Sequence, residues 1–160
     1  MKTVVEIENK GRELQKRYDE LEKIIDTKRD AAIKSNVKGE DARAMWREID
    51  ELKAEYKQLR KEIQNYPFVG QKCTEYLWSD KVGGIITEVK GNKFKVMELE
   101  YTQADPHVGE CKVSDKPTDI CLGWFSVRKC GICFEVGSTA TRGNVYCILG
   151  DAVTYRDPNF

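Results

Sequence analysis

ARAMWREIDELKAEYKQLRKEIQNY, residues 42–66, decides how the chain is built. Its apolar members Ala42, Met45, Ile49, Leu52, Tyr56, Leu59, Ile63 and Tyr66 alternate spacings of three and four, which lays one narrow seam along an α-helix. Pro67 lacks an N–H and biases Tyr66 away from helical angles, so the helix is expected to end there.

Working back toward the N-terminus, Val4, Ile7, Gly11, Leu14, Tyr18, Leu21, Ile25, Lys28 and Ala32 repeat the same alternation, with Gly11 and Lys28 as defects. A mid-helix glycine costs only about 1 kcal/mol against alanine, so the seam is weakened and not ended. Glu13 with Arg17 and Asp19 with Lys23 stand at i, i+4 spacing on the outward side. Between the two helices Ser35, Asn36 and Gly39 break the pattern, and Asp41 is positioned to cap the second helix. A connection this short predicts an antiparallel, coiled-coil-like helical hairpin. Two narrow seams make a thin core, so the hairpin is expected to pack against a copy of itself or against the rest of the chain.

Beyond Pro67 the texture changes, which divides the 160 residues into a helical arm, 1–66, and a β module, 67–160. Gly84 to Val89 reads as a strand, Lys90 to Lys93 as a tight turn and Phe94 to Tyr101 as the antiparallel return. Alternation points Phe94, Val96 and Leu99 inward and Lys95 and Glu98 to water. Thr102 to Thr118, with two prolines and His107, reads as a long loop. Leu122 to Lys129, Cys133 to Val136 and Asn144 to Leu149 complete a sheet of five or six strands. The fold class is therefore α+β, a helical hairpin followed by a small antiparallel β-barrel or twisted sheet.

Acidic and basic side chains balance at 27 each, and the arm, with 16 basic and 15 acidic residues, holds no concentrated positive excess. That balance argues against a binder of duplex nucleic acid. No apolar run approaches the roughly 20 residues of a membrane span, and Glu6 and Glu8 stand where a secretory signal would be apolar. A cytoplasmic protein is expected. The six cysteines fall at 73, 111, 121, 130, 133 and 147, and only Cys130-Gly-Ile-Cys133 has the spacing of metal ligands, with no second close pair beside it. The same four residues read as a hairpin turn, which favours reduced thiols in a β core over a metal site. His107 is the lone histidine, and no phosphate-binding loop, dinucleotide fingerprint or carboxylate cluster is present, so no enzyme and no cofactor is expected.

Several motifs of the β module are familiar in combination: Val69-Gly-Gln-Lys-Cys-Thr-Glu75, Leu77-Trp-Ser-Asp80, Ile85-Ile-Thr-Glu-Val89, Phe125-Ser-Val-Arg-Lys129 followed by Gly131, and Tyr155-Arg-Asp-Pro-Asn-Phe160. Their order over residues 68–160 resembles a family of small phage and prophage proteins. That family in turn resembles phage counter-defence proteins that capture immune signalling nucleotides, including the Thoeris anti-defence sponges. The resemblance implies a non-catalytic homo-oligomer, in the cytoplasm of an infected bacterium, that sequesters a cyclic ADP-ribose-like or cyclic oligonucleotide signal. Cys130 to Cys133 replaces a polar turn of the family, which implies an altered ligand preference.

A nucleotide requires an apolar face for its base and charge-assisted donors for its phosphates. Trp78, Phe125 and Tyr155 are the candidate faces, with Trp124 and Phe160 as further aromatics. Arg128, Lys129 and Arg156 are the candidate donors, with Lys81 and Arg142 in reserve. Asp80 is expected to accept from ribose hydroxyls or an amine, as is Asp157. The competing expectation is a protein-interaction inhibitor whose helical hairpin docks on a host defence protein.

Overall fold

The computed structural model of the chain describes residues 3–35, 39–103, 109–128, 132–137 and 145–158. Helices α1 (Val4–Lys34) and α2 (Glu40–Ile63) precede seven strands: β1 (Lys72–Tyr76), β2 (Lys81–Lys90), β3 (Lys93–Thr102), β4 (Glu110–Val127), β5 (Cys133–Glu135), β6 (Tyr146–Leu149) and β7 (Thr154–Tyr155). The architecture is α+β. Among the described residues no helix is long and apolar enough to cross a membrane.

The α1 seam buries Gly11, Leu14, Tyr18, Leu21 and Ile25, as the spacing requires. Thr3 and Glu6 form a reciprocal capping box at its start. Opposite it, Tyr18 stacks on Tyr56 with ring centroids 4.3 Å apart, Arg17 reaches Glu55 at 2.9 Å and Lys28 reaches Glu48 at 2.8 Å. Partners fall in number on α2 as they rise on α1, so the two helices run antiparallel. Arg17 thus serves the interhelical contact in place of the expected pairing with Glu13, which lies 3.5 Å from Lys10. The N-cap of α2 is Gly39, at φ 82°, without a side-chain bond, and Asp41 sits inside the helix. The helix stops at Ile63, short of Tyr66, because the N–H groups of Asn65 and Tyr66 fall back on the carbonyls of Glu62 and Ile63 and tighten the chain into Pro67.

All strand pairings are antiparallel, and the ladder runs from β1 through β2, β3, β4, β5 and β6 and returns to β1. β7 bridges β2 at Lys81 and β4 at Glu110 and Cys111. Lys72–Tyr76 is a strand where the sequence offered only a motif, since its partners β2 and β6 both lie beyond it in the chain. The expected loop shortens because β4 begins at Glu110 and takes Pro117 into a register shift against Leu99. A proline, which has no N–H to donate, is accommodated at such an irregularity. The same shifts break the alternation in β3, so Glu98 is buried together with Leu99 and does not face water.

One apolar cluster joins Leu14, Tyr18 and Ile63 of the helices to Cys73, Ile86, Phe94, Val96, Phe125, Cys133, Cys147 and Leu149 of the sheet. The base of the hairpin therefore packs against one end of the sheet. Burial of large side chains of this kind is worth about 1.5–3 kcal/mol each. Polar clamps fix the junction. Gln64 donates to the Leu149 carbonyl at 2.8 Å and accepts from the Leu149 N–H at 2.7 Å, behaving as a short extra strand against β6. Tyr18 donates to Asp151 at 2.7 Å, and the Tyr56 hydroxyl stands between the Tyr18 hydroxyl at 2.5 Å and Glu22 at 3.1 Å. Burial pushes the Tyr18 phenol well up and that of Tyr56 to about 12, so both stay protonated as donors.

Candidate functional site

The turn from β1 to β2 is closed by the Leu77 N–H donating to the Asp80 carbonyl at 3.0 Å, and it lifts Trp78 to 96% exposure. A tryptophan so displayed keeps nearly all of its apolar area in water. Immediately behind it the Asp80 carboxylate accepts from the Asp157 N–H at 2.8 Å and from Arg156 Nη1 at 3.0 Å. The Asp157 bond, aided by Arg156, holds the Asp80 carboxyl below its ordinary range despite partial burial. Arg156 Nη2 lies 3.6 Å from the buried Glu98, and its guanidinium covers the Tyr101 ring at 5.4 Å. Although partial burial disfavours its charge, the bonds to Asp80 and Tyr101 outweigh that and hold Arg156 firmly protonated. Its charge is committed to these acids, which leaves less of it for a phosphate.

Tyr155 is directly opposite Lys81 of β2 and Glu110 of β4 and lies against Gly109, where an added Cβ would overlap the ring. Trp78, Asp80, Tyr155 and Arg156 therefore belong to one corner of the sheet. Phe125 does not join them. It is fully buried, 6.0 Å from Phe94 in the core, because register places it inward opposite Phe94, and it offers no face to a ligand. Arg128 lies at the far end of β4 over the Phe134 ring at 5.2 Å. Lys129, like His107, Cys130, Arg142 and Phe160, lies outside the described residues.

Between the corner and Arg128 runs a row of rings that sequence reasoning missed. Lys81 Nζ sits 5.4 Å from the Tyr76 centroid, Tyr76 stacks on Tyr146 at 5.0 Å, and Tyr146 meets Phe134 at 6.4 Å. The register explains it: Tyr76 is opposite both Lys81 and Tyr146, and Tyr146 is opposite Phe134, so all share one face. The rings cover one another, and a cation caps each end. No local signal joins residues 76 and 146, which only the pairing of β1 with β6 brings together.

The opposite face of β1 carries Glu75, 6% exposed, whose carboxyl is pushed up to about 7 by burial and then by Glu135 and Glu98, with Arg156 opposing. Cys73, Cys133 and Cys147 are buried in the apolar core. Among the described residues no group of three or more His, Cys, Asp or Glu side chains is arranged to hold a metal ion. Comparison with protein-family models, curated protein sequences and solved structures finds no match to this chain.

Proposed function

We propose that this protein is a non-catalytic binding protein that sequesters a small anionic nucleotide, taking the base on Trp78 and a phosphate on Lys81. The observation that carries this reading is the fully displayed indole of Trp78, held by a short turn beside a lysine whose ammonium rests on the Tyr76 ring. An arriving phosphate draws Lys81 off that ring at small cost, because the cation–π contact it gives up is worth about 0.5–1 kcal/mol at an exposed site. Base–aromatic stacking contributes about 1–3 kcal/mol per base. Asp80 and Arg156 hold the turn in place, and the ring of strand pairings, read as a small closed barrel, gives it a rigid base.

The resemblance to phage counter-defence proteins supplies the ligand class, an immune signalling nucleotide of cyclic ADP-ribose or cyclic oligonucleotide type, and the setting, the cytoplasm of an infected bacterium. Sequestration needs no turnover, since protein in excess over a tightly bound signal lowers its free concentration by mass action. Equilibrium dialysis of the full chain against a panel of such nucleotides tests the reading. At least one is expected to be retained and recovered chemically intact after heat denaturation. Trp78→Ala and Lys81→Ala are each expected to weaken retention about tenfold or more, roughly 1.4 kcal/mol, with unchanged circular dichroism. Release of a cleaved product, or retention indifferent to both substitutions, refutes it.

A further inference from the structure

The contacts of Arg17, Tyr18 and Lys28 with Glu55, Tyr56 and Glu48 fix which side of α2 faces α1. On the side of α2 turned away from α1, the helical lines Ala42, Trp46, Asp50, Ala54 and Arg43, Arg47, Glu51 border a shallow groove of about 660 Å³. Trp46 is 40% exposed there, and alanines at both ends leave room for a second helix to approach. The charge along this strip is ordered, with Arg43 and Arg47 in its N-terminal half and Asp50 and Glu51 in its C-terminal half. Among the described residues Asp50 pairs only with Lys53, at 4.0 Å, and Arg43, Arg47 and Glu51 make no ion pair. By contrast Arg17, Lys28, Glu48 and Glu55 are all spent within the hairpin.

We propose that this strip is the surface by which two copies of the chain associate, α2 against α2 and antiparallel. A two-fold axis between positions 48 and 49 sets Arg47 of each copy opposite Asp50 of the other, beside Glu51. An isologous contact needs such self-complementarity. Helical side chains lean toward their own N-terminus, so each Trp46 indole comes over Ala54 of the second copy. A parallel arrangement sets arginine on arginine and acid on acid and is disfavoured. The seam is used inside the hairpin, and the strip on the opposite side of α2 is the helical face left for the self-association expected of the hairpin from its sequence. Since the sheet follows the C-terminus of α2, antiparallel pairing sends the two sheets to opposite ends. Each lies about 20 Å from the axis at 1.5 Å per residue. The Trp78 corners then stand apart as independent sites, whatever ligand they take.

Sedimentation equilibrium of the full chain from about 1 µM to about 500 µM tests the pairing. A reversible dimer that weakens as salt rises is expected. Trp46→Ala and Arg47→Glu should each raise its dissociation constant at least tenfold without loss of helical circular dichroism. An Asp50→Arg/Glu51→Arg chain should also be monomeric alone but dimerise when mixed with the Arg47→Glu chain, because the exchanged charges again meet opposites. A wild-type chain that stays monomeric throughout, or a dimer indifferent to all of these changes, overturns the proposal.

Discussion

Arg156 and Asp80 meet at 3.0 Å through Nη1 and Oδ2, tying the segment after β7 to the turn that displays Trp78. Arg156→Ala strips a cation from Asp80 and from the buried Glu98 together. A loss of about 1–3 kcal/mol in urea unfolding is expected. Arg156→Lys should recover only part, since an ammonium cannot reproduce the guanidinium fork. Unfolding curves that superimpose on wild type would show the tie to be energetically idle.

Gly11 is a close-approach point between α1 and the chain leaving α2. A Cβ there would fall on the Tyr66 carbonyl oxygen and stand 2.8 Å from Phe68 Cδ1. Helix propensity alone predicts that Gly11→Ala stabilises by about 1 kcal/mol. Overpacking against a backbone carbonyl opposes that with about 1–3 kcal/mol. The net expectation is a lower melting temperature, read by calorimetry. A rise would mean that the helix and the linker separate easily.

Glu75 sets a pH dependence of determinate sign. Its carboxyl titrates near 7 in the folded chain against an ordinary 4.5, so between these values the folded state holds the extra proton. Stability from this group is complete below about pH 4.5, falls as pH rises toward 7, and is flat above. Glu75→Gln removes the buried charge and should raise stability at pH 8 by up to about 3 kcal/mol while changing little at pH 4.5. Chemical denaturation at both pH values checks this, and an equal effect at the two would assign the change to packing.

The hairpin was legible because a helix writes its neighbours at intervals of three and four, so Leu14, Tyr18, Leu21 and Ile25 declare a common side without reference to anything distant. The hairpin of β2 and β3 was legible for the same reason, its turn at Gly91 with φ 63° lying between two alternating runs. Trp78, Asp80, Tyr155 and Arg156 were identifiable as residue types, and the corner that unites them was not. What only the tertiary structure decided rests on contacts between residues far apart in the chain. These are the closure of the ladder through β1 and β6, the burial of Phe125 and Glu98, the commitment of Arg156 to two acids, and the row from Tyr76 to Phe134. Local sequence fixes backbone preference and periodicity. Which face of a strand turns inward, and which charge meets which, depends on register, and register is set by pairings that span up to about half the chain.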